Sequence, residues 1–178
     1  ILAWIVFGFT GLQFLLALAN LVFREHMLPE GRDPETLVSV LIPARNEESN
    51  LPLLLEDVIQ QDYQDIEVIV FDDQSTDRTA NIVEDFARKD PRIRLIRSEG
   101  LPEGWLGKNH AYHQLSSAAS GQYLLFLDAD VHIAGDLIPS SIQYAETHSL
   151  ALISIFPRQI MKTAGEWAGV PVMNYILL

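Results

Sequence analysis

Two aspartates, Asp128 and Asp130, follow the apolar run YLLFL at residues 123–127. Two apart on an extended backbone, they point to one side while Ala129 points to the other. Two hard carboxylate oxygens so placed can hold a divalent cation whose shell is completed by diphosphate and water. The alternative is a pair of acids capping the next helix. YLLFL reads as a buried strand, and acids at the end of such a strand are costly without a compensating cation, which favours the cation reading.

Further polar clusters have the same placement. Asp72 and Asp73 follow EVIVF and begin DDQSTD (72–77). Either carboxylate could accept hydrogen bonds from a nucleobase or ribose, or the pair could serve turn chemistry with Ser75 and Thr76. Asp77 is expected to cap a helix beginning near Arg78. In PARNEE (43–48), Pro43 fixes the exit from the first strand, Asn46 is expected to cap the following helix, and Arg45 is a candidate phosphate or base contact. The glycine-rich loop EGLPEGWLGKNHA (99–111) carries Trp105 and Lys108, and a lysine near a helix N-terminus suits phosphate. It is not a Walker loop, because Pro102 stands where the first glycine is required and Asn109 replaces Ser or Thr. His110 and His113 read as packing or helix-surface residues rather than ligands. No GxGxxG follows the first strand, which argues against a dinucleotide-dependent dehydrogenase.

The elements that must position these groups alternate along the chain. LVSVLIP (37–43), EVIVF (67–71), RIRLI (92–96), YLLFL (123–127) and LALISIF (150–156) read as five strands. Between them Leu51, Leu54, Leu55, Val58 and Ile59 fall at helical spacing, as do Ile82, Val83 and Phe86, and Ala111, Leu115, Ala118 and Ala119. This alternation predicts an α/β fold with a mostly parallel sheet. In such sheets ligands bind beyond the carboxyl ends of the strands, where PARNEE, DDQSTD and DAD all fall.

Twelve basic against twenty-four acidic residues give the 178-residue chain a formal net charge of -12, which disfavours nucleic acid as a partner. With no cysteine there is no disulfide framework, thiolate metal site or cysteine nucleophile. Residues 1–23 carry no charge and as a helix would be roughly 34 Å long, enough to span a bilayer core. The segment reads as an anchor over 1–28, rather than a cleavable signal peptide or a soluble core helix, followed by a polar linker over 29–36. Arg24 and Arg32 give a weak orientation signal that Glu25 and Glu30 dilute; the expected topology leaves the following domain on the cytoplasmic side of an inner or plasma membrane. That domain is expected over 37–160. Over 161–178 an apolar stretch with Lys162 and Trp167 reads either as an interfacial helix or as a core helix ended by Pro171.

VLIPARNEESNL, VIVFDDQSTDRTA and YLLFLDAD, in this order and spacing over about residues 37–157, resemble the nucleotide-sugar half of the family 2 glycosyltransferases, which have the Rossmann-like GT-A fold. PEGWLGKNHA, the leading apolar segment and FPRQI are most similar to the membrane-bound branch that includes carotenoid (diaponeurosporenoate) and hopanoid-associated glycosyltransferases. The resemblance implies that Pro43, Arg45 and Glu47 line the nucleotide pocket and that Asp72 or Asp73 contacts the base. It implies that Lys108 lies near the donor, and that Asp128 and Asp130 form a DxD motif holding Mg²⁺ or Mn²⁺ on the diphosphate.

The implied activity is inverting transfer from a nucleoside-diphosphate sugar, with a UDP-sugar favoured, to a lipid-like acceptor at the membrane. The family's catalytic base lies in an acidic motif well downstream of DxD. Its counterpart is expected beyond residue 178, so the chain reads as a donor-half fragment. Glu166 is too near DxD and sits in an apolar setting. The family's more common KxxALN stands here as Lys108-Asn109-His110-Ala111-Tyr112-His113, which leaves His113 without an assigned role. Two competing classes are a membrane-tethered scaffold without catalysis and a sugar-phosphate nucleotidyltransferase; the glycine-rich triphosphate loop of the latter is missing where PARNEE stands.

Overall fold

The computed structural model describes residues 2–23, 36–155 and 158–177. They divide into two compact units: a sheet domain ending at Ile153, and a unit grouping the N-terminal helix with the chain from Ser154 onward. Most of the expected linker, with Arg24 and Arg32, lies outside the described residues.

The sheet domain runs β1 (Val38–Ala44), α2 (Leu51–Ile59), β2 (Ile66–Asp72), α3 (Thr79–Lys89), β3 (Ile93–Arg97), α4 (Gly107–Ala118), β4 (Tyr123–Phe126) and α5 (Leu137–Thr147), after α1 (Leu2–Val22). The strands pair in the order β3-β2-β1-β4, all parallel. β1 and β2 alternate cleanly between two cores. Val38, Val40, Ile42 and Ala44 of β1, with Val68 and Val70 of β2, meet Leu51, Leu54, Leu55 and Val58 of α2, Val83 of α3 and Ile138 and Ile142 of α5. Leu41, Ile69 and Phe71 turn the other way onto Ala111 and Leu115 of α4. Apolar side chains on both faces are what a central parallel strand requires.

The helices divide between the faces because parallel crossovers are right-handed. The chain steps outward from β1 to β2 to β3 and then returns across both to β4, so α4 covers the opposite face from α2 and α3. This reversal makes the carboxyl ends of β1 and β4 the switch point where a ligand crevice forms. α5 lies outside the three helices expected from spacing, although Ile138, Ile142 and Ala145 are buried at helical intervals.

Two strand expectations need correction. The fifth strand is absent over its described residues: 150–155 has no regular structure, and Leu150, Leu152 and Ile155 are exposed. A strand exists through its hydrogen-bonded neighbour, and no described strand lies beside this run, so apolar sequence alone does not make one. β4 is not buried either. Leu124 and Phe126 are exposed on one face, which the described helices leave partly uncovered there, and β4 is the edge strand, paired only with β1 among the described residues.

In the second unit, α1 is long and apolar enough to cross a membrane, and its large apolar side chains, Trp4, Phe7 and Phe9 among them, are exposed. α6 (Ala164–Leu177) runs on through Pro171, so the reading of a helix ended there is overturned. Its start is fixed by a capping box. Glu166 accepts hydrogen bonds from the N–H groups of Lys162 and Thr163, and the Glu166 N–H donates to Thr163 Oγ1. Those two N–H groups hold the Glu166 carboxyl below its ordinary value.

Candidate functional site

Pro43 is where the sheet opens. Leu127 N donates to Leu41 O, so the backbone of Leu41 faces β4, and two residues on Pro43 faces the same way with no N–H to give. Pairing of β1 with β4 ends at Leu41 and Phe126, whereas pairing with β2 continues through Pro43 and Ala44. β1 and β4 therefore separate just before Asp128.

The loops after β1 and β2 are tied to each other. Asn46, in the left-handed region at φ 57°, donates its N–H to Ser75 Oγ (2.9 Å) and accepts from Thr76 N with its side chain (2.8 Å). Its expected role as a cap of α2 is replaced by this cross-loop clamp, and the N-cap position of α2 is Asn50. Glu47 N donates to Thr79 Oγ1, and the Glu47 carboxylate accepts from Asn50 Nδ2. Asp77 meets the start of α3, accepting from the N–H and hydroxyl of Thr79 and also from Glu48 N. Desolvation pushes the Asp77 carboxyl up, but these hydrogen bonds together outweigh it and hold it below the ordinary carboxylate range.

Asp72 and Asp73 part ways. Asp72 is buried, and its Oδ1 accepts from Ser75 N at 3.2 Å, closing its own turn. Asp73 Oδ2 lies 3.8 Å from Arg45 Nη1 and faces Gly107 at the start of α4, where an added Cβ would sit 3.4 Å from it. Arg45, Asp73 and the first turn of α4 thus come together.

The first turn of α4 also carries Lys108, whose Nζ donates to Asp128 Oδ1 at 2.7 Å. The Tyr112 hydroxyl donates to the same oxygen at 3.2 Å, and its ring packs edge-on against Phe126. The hydrogen bond to Asp128 raises the Lys108 pKa above the ordinary lysine value. Desolvation, with the Asp128 charge, pushes the Tyr112 phenol up. Asp128 is half exposed and Asp130 exposed, with Ala129 buried between them, and no described residue pairs with the Asp130 carboxylate. β4 is half exposed, so acids beyond its end carry a smaller desolvation cost than those beyond a buried strand. Lys108 already supplies a cationic neighbour, in a pair worth about 0–1 kcal/mol.

Could this pair of acids hold a divalent cation? Among the described residues no cluster of three or more His, Asp or Glu side chains forms a cage. β4 stops at Phe126, and Asp128 and Asp130 lie beyond it in a turn where Val131 N donates to Asp128 O at 3.3 Å, rather than on the extended backbone expected. Two exposed carboxylates on such a turn fit a hard cation that takes its remaining ligands from substrate phosphates and water, which is the usual manner of Mg²⁺.

The spacing of KNHAYH does not reveal what its members touch. His110 is buried, with Phe71 and Trp105 at its ring edges, and its Nε2 lies 3.1 Å from Gln114 Nε2. His113 holds Ser117 Oγ at 3.0 Å and lies 5.1 Å from the Trp105 ring. Both histidines therefore seat Trp105 on α4. Tyr112 is the site residue that sequence reasoning missed: its signal, a position one helical turn after Lys108, is readable only once Asp128 is known to face that side.

Three comparisons bear on this arrangement. The 4,4'-diaponeurosporenoate glycosyltransferase of Staphylococcus haemolyticus is 36% identical over 134 residues, 73% of this chain and 35% of the relative. The chain thus spans about a third of the length of such relatives. The mannosyltransferase PcManGT of Pyrobaculum calidifontis, solved with GDP-Man and Mn²⁺, superposes with a TM-score of 0.60 at 26% identity, covering 82% of this chain and 44% of that one. TarS of S. aureus with UDP-GlcNAc gives a TM-score of 0.53 at 27% identity, covering 71% and 37%. The model of glycosyl transferase family 2 matches residues 39–175, from the second residue of β1 into α6, and the chain belongs to that family.

Proposed function

We propose that this chain carries the donor site of a metal-dependent, inverting glycosyltransferase that moves a sugar from a nucleoside-diphosphate sugar to a lipid-like acceptor at a membrane. The observation that carries the reading is the convergence of Arg45, Asp73, Lys108 and Asp128 at the switch point of a family 2 domain. In this reading Pro43, Arg45 and Glu47 line the nucleotide pocket, Asp72 and Asp73 bound its base and ribose end, and Lys108 meets the diphosphate. Asp128 and Asp130 hold Mg²⁺ or Mn²⁺, which when bound offsets negative charge on the departing diphosphate.

The bond from the anomeric carbon to the diphosphate oxygen breaks as the acceptor hydroxyl bonds to the opposite face. The hydroxyl proton passes to a carboxylate base that is not among the residues assigned here. Glu166, whose Oε2 accepts the capping N–H groups at the start of α6, is not assigned that role. A UDP-sugar is the favoured donor, although neighbours of similar fold bind UDP-GlcNAc and GDP-Man. The lipid-like acceptor is supported by the relative named for diaponeurosporenoate and by the exposed apolar α1, which would anchor the domain on the cytoplasmic face.

Titration of UDP-sugar into the detergent-solubilised chain, with Mn²⁺ or with EDTA, tests the reading. Asp128→Asn and Asp130→Asn should each remove the metal-dependent part of the affinity while leaving the melt unchanged. Equal affinity in both variants and the parent chain would contradict it.

A further inference from the structure

We propose that Lys108 and a divalent cation compete for Asp128 Oδ1, and that a diphosphate opens this oxygen to the cation by drawing the lysine ammonium away. The inference rests on the reading of Asp128 and Asp130 as cation ligands. It begins from an asymmetry between them. One oxygen of Asp128 receives both Lys108 Nζ at 2.7 Å and the Tyr112 hydroxyl at 3.2 Å, whereas Asp130 has no described partner.

An ammonium within hydrogen-bond distance of an oxygen and a divalent cation bound to the same oxygen would stand only a few ångströms apart. Like charges so close repel strongly, and most strongly where water is excluded. The two occupants are therefore alternatives. Tyr112 is neutral and does not share this conflict; with its ring against Phe126 it can keep hold of the carboxylate when the lysine leaves. Lys108 is able to leave: its side chain is 59% exposed, on a flexible four-carbon stem at the first turn of α4. What it needs is another anion within reach, and a diphosphate at the switch point supplies one.

Cation and nucleotide then favour each other beyond any direct bond between them, and by linkage the effect is reciprocal. Lys108 would make the site selective for metal together with diphosphate over metal alone.

The test measures Mn²⁺ binding to the detergent-solubilised chain without nucleotide, by the electron paramagnetic resonance signal of the free ion. UDP binding is then measured at saturating Mn²⁺. Lys108→Met should tighten Mn²⁺ binding about three- to fivefold, the upper range an exposed ion pair allows, and should weaken UDP binding. Arg45→Met, which removes a cation paired with Asp73 instead, should leave Mn²⁺ affinity within about twofold. An unchanged or weaker Mn²⁺ affinity in Lys108→Met, or equal tightening in Arg45→Met, would overturn the competition. Asp128→Asn separates this failure from failure of the underlying reading. Loss of Mn²⁺ binding there leaves the cation site standing whatever Lys108 does, whereas full retention would overturn both. Lys108, Arg45 and Asp128 are all at least half exposed, and an unchanged melt checks that each variant folds.

Discussion

Asn46 Oδ1 accepts the N–H of Thr76 at 2.8 Å across thirty positions of sequence, and through it the loop after β1 and the loop after β2 become one wall of the candidate site. The same residue holds φ 57°, which asparagine tolerates better than most side chains. Asn46→Ala loses the clamp and keeps the strained backbone, and is expected to lower stability by about 1–3 kcal/mol. Asn46→Gly relieves the strain and should cost less. Urea unfolding of the two variants checks the ranking, and nucleotide affinity should fall in both.

Gly121 touches β1 without room for a side chain. A Cβ there would lie 2.6 Å from Ser39 N and 2.8 Å from Leu37 O, both backbone atoms that cannot swing aside. Gly121→Ala should therefore force β1 and the start of β4 apart and destabilise by about 1–3 kcal/mol. At Gly107 the nearest atom is 3.4 Å away, an ordinary contact, and Gly107→Ala should leave the melting temperature within a degree or two of the parent. Differential scanning calorimetry of the pair tests the contrast.

Acid should weaken the fold through Glu67. Partial burial pushes its carboxyl up, but hydrogen bonds from Ser39 Oγ, Ser120 N and Arg94 outweigh this and hold it below the ordinary value of 4.5. A carboxyl depressed in the folded state adds stability that is fully present above its unfolded pKa and is lost as pH falls through the folded one. Asp77 and Asp90 are depressed as well and act in the same direction. Melting temperature should fall steadily from about pH 5 downward, and Glu67→Gln should flatten part of that slope. A parallel pH profile in the variant would remove Glu67 from the account.

Membrane association should depend on α1. A lysine at the middle of a spanning helix costs about 2.5–3.5 kcal/mol, so Leu12→Lys should move the chain from the membrane fraction toward the soluble fraction after alkaline extraction. Leu12 is exposed, so no packing within the chain opposes the change. An unchanged distribution would mean that α1 does not span.

How much of this was legible in sequence differs by element. β1 and β2 announce themselves because both faces are buried, giving mostly apolar runs rich in Val and Ile; α2 does so through Leu51, Leu54, Leu55 and Val58 on one face. The run 150–156 carries the same apolar signal, and composition cannot report whether a neighbouring strand exists. Asp128 and Asp130 were visible from spacing, but their partners were not: Lys108 and Tyr112 lie twenty and sixteen positions upstream, brought to Asp128 only by the crossover that sets α4 on its face of the sheet. Asn46 shows the reverse case, a residue whose type fits a helix cap and whose left-handed backbone gives it a longer-range role. The capping box at Thr163 and Glu166 follows a known spacing and was open to reading from sequence alone.

The most direct test of the donor site is the thermal stability of the detergent-solubilised chain against UDP, GDP and their sugars, each with Mn²⁺ and with EDTA. Ligand at about a hundred times its dissociation constant adds roughly 2.7 kcal/mol, a readily measured shift. Stabilisation should require both Mn²⁺ and a nucleotide, with UDP or its sugar giving the larger effect. A cooperative melt that no combination of metal and nucleotide moves would contradict it.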